Sequence, residues 1–158
     1  MLEEYIDGVT LFDLINENLY KENQVKKLVR ELCDILSFLH SFNIIHRDIK
    51  SENVMIENST QILKLIDFDS ARIYKKYCPR DTEYLGTVGY AAPEQYGGVS
   101  DRRTDIKQAG ELMKVMLTGE TSDKIPYNGE LADVIAKCIH ISPDKRFQTA
   151  KELKRSLK

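Results

Sequence analysis

The eight residues His46–Asn53, "HRDIKSEN", decide how the fold of this sequence is interpreted. Short β-type runs flank this polar stretch, so we expect it to connect two short strands. The side chains of Asp48, Lys50 and Asn53 can then converge on one small volume. A carboxylate can accept a proton from a hydroxyl, an ammonium can neutralise a phosphoryl oxygen, and an amide oxygen can bind Mg²⁺. The stretch therefore predicts a site of phosphate and metal chemistry.

A second carboxylate follows in "IDFD", residues 66–69. The segment "ENST" is typical of a turn and "QILKLIDF" of the return strand of a hairpin. Such a hairpin would bring Asp67 beside Asn53, which supplies two hard oxygen ligands for one metal region. Alone, an aspartate at a strand end is more often a turn residue than a ligand, and it is the combination that favours a metal site.

The bulk composition is that of an ordinary globular protein. The chain has 158 residues, of which 42% are hydrophobic and 30% charged, which predicts one soluble domain. A formal net charge of -2 gives no electrostatic footprint for nucleic acid. No apolar run reaches the roughly 20 residues that span a bilayer. Three cysteines without metal spacing favour a reducing cytoplasm, with Cys33 and Cys138 as buried apolar residues and Cys78 in a polar loop.

The hydrophobic pattern predicts a helix-rich domain with one hairpin. Residues 1–7 are typical of a strand that runs into a turn at Asp7-Gly8, and Thr10 then predicts the N-cap of a helix. Residues 70–98 show no periodicity, and a loop of that length tends to be functional or disordered. Helical periodicity predicts four further helices, over residues 22–43, 103–119, 129–141 and 148–158.

Several motifs in order resemble the C-terminal lobe of a eukaryotic-type serine/threonine protein kinase, along essentially the whole chain. "HRDIKSEN" resembles the catalytic loop H-R-D-x-x-x-x-N, "DFD" at 67–69 stands where D-F-G is expected, and "APE" at 92–94 ends the activation segment. Lys50, two places after Asp48, is similar to the serine/threonine branch, and "GTVGYAAPE" agrees. The resemblance implies an α+β family fold, of which this chain is the mainly helical C-lobe with a small hairpin at the cleft and a long activation loop.

The resemblance also implies roles for the residues that carry the chemistry of an ATP-dependent phosphotransferase. Asp48 would orient the substrate hydroxyl and accept its proton, and Lys50 would stabilise charge on the transferring phosphoryl group. Asn53 and Asp67 would hold the Mg²⁺ ions that bridge the nucleotide phosphates. Thr87 resembles the threonine that lines the protein-substrate site beside the catalytic aspartate.

Five further residues resemble the structural supports of such a site. His46 and Phe68 resemble stacked apolar supports behind the catalytic loop. Asp105 is similar to the helix carboxylate that fixes the backbone of that loop. Glu94 and Arg146 resemble the buried ion pair that ties the activation segment to the late helices.

The chain is divided by the resemblance into a hinge at residues 1–8 and a C-lobe at residues 9–158. Backbone groups near Glu4 and Ile6 would hydrogen-bond adenine. Met55 and Ile66 would form the apolar floor beneath the ring, and Thr10 would lie near the ribose. Residues 1–158 hold no glycine-rich phosphate loop or strand lysine of the family's N-lobe. We therefore expect a missing N-lobe, or a partner chain, to cover the cleft, and little activity from the isolated chain.

Regulation by phosphorylation is a further expectation. Arg47 is similar to the arginine of kinases whose activation loop is ordered by a phosphate, because a guanidinium can fork onto phosphate oxygens. Thr82 is the expected phosphosite, ahead of Tyr84 and Thr87.

Three features depart from the family pattern or leave alternatives open. Asp69 replaces the glycine of D-F-G, which indicates either a stiffer loop or a pseudokinase that binds magnesium badly. Lys107 and Gln108 stand where relatives usually have an aromatic and a small residue, which we expect to alter local packing rather than chemistry.

The alternatives to a kinase are a truncated remnant that serves as an interaction module and a small-molecule phosphotransferase, although the latter generally lacks the "APE" and "GT..Y" segments present here.

Overall fold

The computed structural model describes residues 4–75, 77, 86–121 and 129–158. In that part of the chain a three-stranded and a two-stranded β-sheet lie against a helical core. The helices are α1 Leu11–Glu17, α2 Glu22–Ser41, α3 Pro93–Tyr96, α4 Arg102–Thr118, α5 Glu130–Cys138 and α6 Ala150–Ser156. The strands are β1 Gly8–Thr10, β2 Ile44–Ile45, β3 Val54–Glu57, β4 Leu63–Leu65 and β5 Arg72–Ile73. The predicted mainly helical fold with a small hairpin is confirmed.

The predicted hairpin is formed by β3 and β4, which pair in antiparallel register, and β1 adds a third antiparallel strand on the other side of β3. The strand predicted for residues 1–7 is wrong over its described part, since residues 4–7 have no regular structure and β1 begins only at Gly8. A Cβ at Gly8 would lie 2.6 Å from the carbonyl oxygen of Ile56. Because glycine has no side chain, β1 can approach β3 this closely at its first residue, Gly8.

The helical core is built around α4. The amphipathic helix α2 buries its apolar face against α4 and α6, as its sequence pattern predicts. Helix α4 is different, because every residue from Thr104 to Met116 is buried. Gly119 ends this helix in the left-handed conformation, at φ 77°. Across the described ranges, no helix combines the length and the apolar character that a membrane span requires.

The long loop predicted for residues 70–98 contains two short elements that periodicity could not indicate. Strand β5 pairs with β2 through Ile44 and Ile73, and α3 forms one helical turn. Two residues of strand or four of helix are too short to show a repeat. Thr82, Tyr84 and Cys78 lie outside the described residues. Cys33 and Cys138 are fully buried, as predicted.

Candidate active site

The centre of the site is a set of hydrogen bonds around the Asp48 carboxylate. Thr87 Oγ1 donates to Asp48 Oδ1 at 2.7 Å, and Lys50 Nζ lies 2.9 Å from Asp48 Oδ2. Lys50 Nζ also donates to Thr87 Oγ1 at 3.1 Å. The structure thus brings together a carboxylate, an ammonium and a hydroxyl from two segments of the chain. A substrate hydroxyl that reaches this position would meet both a proton acceptor and a positive charge.

Asn53 is held in a 3-10 turn, Ser51–Asn53, directly before β3. Its Nδ2 donates to the carbonyl oxygen of Asp48 at 2.9 Å and to Asp48 Oδ2 at 3.0 Å. Both bonds use the amide nitrogen, so the amide oxygen remains as an acceptor. An amide oxygen next to a carboxylate is a donor set that fits Mg²⁺.

The backbone of the catalytic loop is held from below by α4. Asp105 is fully buried and accepts hydrogen bonds from the backbone N–H groups of His46 at 3.1 Å and Arg47 at 2.9 Å. His40 Nε2 lies 2.8 Å from the same carboxylate. Arg47 has a φ of 69°, which costs free energy for a residue with a side chain and is maintained here by these bonds.

Two glutamines that sequence reasoning did not select extend this support. Gln108 Oε1 accepts from the backbone N–H of Ile49 at 3.0 Å, and its Nε2 donates to the carbonyl of Arg47 at 2.6 Å. Gln95 Nε2 donates to the same carbonyl at 3.0 Å. Gln108, expected from the sequence to alter local packing, thus also makes polar contacts with the backbone of this loop. The only signal in the sequence was a glutamine where relatives usually have a small residue, and the burial that gives it a role is seen only in the structure.

His46 packs behind the loop as a neutral imidazole. Its ring contacts Phe68 edge-on, with 4.8 Å between ring centroids. His46 Nε2 lies 3.2 Å from the Ile66 carbonyl oxygen, and Nδ1 faces the backbone N–H of Asp48 at 3.4 Å, which assigns the proton to Nε2. Burial lowers the pKa of His46, and nearby carboxylates oppose this shift only in part.

This lowered pKa predicts a loss of stability on mild acidification. Below the ordinary histidine pKa of 6.5, the unfolded chain takes up a proton at His46 that the folded chain resists. The free energy of unfolding should therefore fall as pH drops through that value. Urea unfolding between about pH 7.5 and pH 5.5 should show a weaker pH dependence for His46→Phe than for the wild type. An unchanged slope would contradict this assignment, and His140→Phe serves as the control.

Asp67 follows β4 and lies at the entrance of a cleft. It is exposed and has a φ of 60°, and its Oδ1 accepts from the backbone N–H of Asp69 at 3.2 Å. Asp69 itself is outside the left-handed region, so the missing glycine of D-F-G costs no backbone strain at that position. The carboxylate of Asp67 thus stays available to a ligand in the cleft.

The cleft has a volume of about 450 Å³ and lies between the N-terminal residues and the hairpin. Its lining residues are Glu4, Tyr5, Ile6, Met55, Ile66, Asp67 and Asp69. Four of them were selected from the sequence for adenine, whereas Tyr5 and Asp69 were missed. Thr10 does not line the cleft, because its hydroxyl caps α1 and donates to Asp13 Oδ2 at 2.6 Å. Its contact with a ribose stays a prediction.

The activation segment is tied to the late helices by a buried ion pair. Arg146 donates to both carboxylate oxygens of Glu94, at 2.6 Å and 2.9 Å. Thr104 Oγ1 donates to the same carboxylate at 3.0 Å. The pair connects the "APE" motif with α4 and the segment before α6. It thereby fixes one end of the loop that carries Thr87.

The other end of this segment contacts the catalytic loop through Arg47, whose Nε donates to the Ser70 carbonyl at 2.6 Å. The expected phosphosite Thr82 is not among the described residues. Within those residues, no cluster of three or more histidine, cysteine, aspartate or glutamate side chains is arranged to hold a metal ion. A cation at Asn53 and Asp67 would therefore need further oxygen ligands from water or from a bound phosphate group.

The chain is similar to known protein kinases over most of its length. The family model "Protein kinase domain" matches residues 1–124. Serine/threonine-protein kinase PknB of Mycobacterium tuberculosis is 33% identical over an alignment that covers 98% of this chain. A probable serine/threonine-protein kinase of Clostridium acetobutylicum is 31% identical over 95% of the chain, and PknA of a Nostoc species is 29% identical over 99%. The chain spans 29%, 27% and 32% of the lengths of these three relatives.

Proposed function

Because this chain belongs to the protein kinase family, we propose that it carries the catalytic residues of a serine/threonine protein kinase. The reaction is transfer of the γ-phosphoryl group of ATP to a serine or threonine hydroxyl of a protein. The observation that carries this proposal is the hydrogen-bonded set of Asp48, Lys50 and Thr87. Thr87 belongs to the loop before "APE", and its contact with Asp48 is what a protein-substrate site beside the catalytic carboxylate requires.

In this proposal Asp48 orients the acceptor hydroxyl and takes its proton as the new O–P bond forms. The bond between the γ-phosphorus and the β,γ-bridging oxygen breaks in the same step, and ADP leaves. Lys50 is already within 2.9 Å of Asp48, so its ammonium stands where negative charge accumulates on the transferring group. Thr87 holds the second carboxylate oxygen of Asp48 and keeps the carboxylate from rotating. These contacts support a reaction that depends on positioning and charge stabilisation.

Asn53 and Asp67 are the proposed Mg²⁺ ligands. When bound, the cation neutralises charge on the nucleotide phosphates. Asn53 is fixed by its two bonds to Asp48, whereas Asp67 is exposed at the cleft and held by the Asp69 backbone. We propose that adenine occupies the cleft beside Ile6, whose walls are partly apolar. A second lobe or a partner chain would cover this cleft and cradle the phosphates.

The direct test is ATP-dependent labelling of a mixed serine, threonine and tyrosine peptide library by the full-length natural protein. We expect Mg²⁺-dependent label on serine or threonine, read by phosphoamino acid analysis. Nucleotide binding without transfer would instead favour a pseudokinase, and label on small molecules alone would favour a small-molecule phosphotransferase. Purified residues 1–158 should show little or no turnover, since they hold no glycine-rich phosphate loop, and robust turnover would contradict that part.

A further inference from the structure

We propose that three buried charged residues of α4, Lys107, Glu111 and Lys114, position the loop that binds the protein substrate. We call these three residues the buried triad, and residues 86–92 the substrate loop. The inference rests on the proposed function, because it names the residues that position the substrate-binding loop of the same site. It departs from the expectation that Lys107 affects only packing.

The triad is a continuous chain of ion pairs along one side of α4. Lys107 Nζ lies 2.9 Å from Glu111 Oε1, and Lys114 Nζ lies 2.6 Å from Glu111 Oε2. Each of the three side chains is at most 10% exposed. Glu111 is thereby held between two ammonium groups, and the ammonium of Lys107 also donates to another element.

Lys107 connects the triad with the substrate loop. Its Nζ donates to the carbonyl oxygens of Ala91 at 3.0 Å and Tyr90 at 3.3 Å. The backbone N–H groups of these same two residues donate to the carbonyl of Thr87, at 2.9 Å and 3.0 Å. The ammonium therefore closes one side of a tight turn whose first residue contacts Asp48.

Tyr90 is held at both ends by this arrangement. Its hydroxyl lies 3.2 Å from Ser51 Oγ in the catalytic loop, and its carbonyl accepts from Lys107. Tyr90 is itself buried. The substrate loop is thus fixed against the catalytic loop on one side and against the buried triad on the other.

The energetics favour a positioning role over a role in stability. Burial of three charges carries a large desolvation cost, and replacement of such a cluster by apolar residues of similar volume is often neutral or stabilising. An apolar residue at position 107, however, has no donor for the two loop carbonyls. Stability and loop position should therefore respond differently when the triad is removed.

The test compares the full-length natural protein with the triple variant Lys107→Met/Glu111→Leu/Lys114→Met. We expect the peptide KM to rise at least about tenfold, which is the factor that one hydrogen bond to a charged donor contributes. The KM for ATP should stay unchanged. The thermal midpoint should stay unchanged or increase. The single variant Lys107→Arg, which keeps charged donors at this position, should retain most of the peptide affinity of the natural protein. The exposed ion-pair variant Asp34→Asn/Lys154→Met is the matched control and should change neither KM.

Hydrogen–deuterium exchange supplies a readout that needs no catalysis. The amides of Tyr90 and Ala91 should exchange faster in the triple variant and in the single variant Lys107→Met, which leaves Glu111 paired with Lys114. Unchanged exchange, or an unchanged peptide KM, overturns the inference. Equal rises in both KM values with a lower thermal midpoint also overturn it, because they indicate a purely structural role. Faster exchange in a protein without kinase activity would refute the proposed function and leave the positioning of the loop in place.

Discussion

Replacement of Asp48 by asparagine is expected to lower kcat for peptide phosphorylation by about 10²–10⁴-fold. Asparagine is nearly isosteric and keeps one of the two acceptor oxygens that Thr87 and Lys50 contact, but its amide cannot take the proton of the acceptor hydroxyl. The KM for ATP should change little, since Asp48 does not line the cleft that we propose for adenine. Steady-state kinetics of the full-length natural protein with saturating Mg²⁺ and ATP measure both effects.

The matched control for this prediction is Asp133→Asn, which removes an exposed carboxylate on α5 by the same chemical change. Its kinetics should equal those of the wild type. Retention of more than about one tenth of kcat by Asp48→Asn would show that Asp48 is not the proton acceptor. Circular dichroism of both variants checks that the helical content is preserved.

Arg146→Met is expected to reduce the free energy of unfolding by about 3–5 kcal/mol, the usual result when one partner of a buried ion pair is lost. The Arg146 side chain is fully buried and its partner Glu94 is 14% exposed. Besides Glu94, its guanidinium donates to three backbone carbonyls, those of His140, Ile141 and Arg103. Methionine fills the space but leaves these acceptors without a donor. Urea unfolding at neutral pH measures the loss.

The control here is Arg155→Met, which removes an exposed arginine of α6 and should have little effect. The double variant Glu94→Leu/Arg146→Met should recover part of the stability, because it removes the buried charge that the single variant leaves behind. A loss below about 1 kcal/mol in Arg146→Met would show that the pair contributes little net stability. A double variant less stable than Arg146→Met would show that Glu94 has other stabilising partners.

Sequence patterns predicted the helices that bury one face and expose the other. Helix α2 has one apolar and one polar face, and its predicted range 22–43 agrees with the observed Glu22–Ser41 within two residues. Helix α4 was predicted in nearly the right place, and the apolar residues Ile106 and Met113 are buried as expected. The sequence could not show that its charged residues are buried too, because periodicity indicates where apolar residues repeat and not what surrounds the opposite face.

The sequence by itself determined the family, through the order of the motifs "HRDIKSEN", "DFD" and "APE". It also determined which candidate groups are present, because the chemistry of a side chain depends on the residue type. Through the family resemblance the sequence also implied two partners, Thr87 beside Asp48 and Arg146 with Glu94. The atoms that meet, and the contact of Gln108 with Arg47, were decided only by the tertiary structure. Thr87 lies 39 residues from Asp48, Gln108 lies 61 residues from Arg47, and Arg146 lies 52 residues from Glu94. Contacts at such separations depend on how the helices pack around α4, and no local pattern in the chain encodes them.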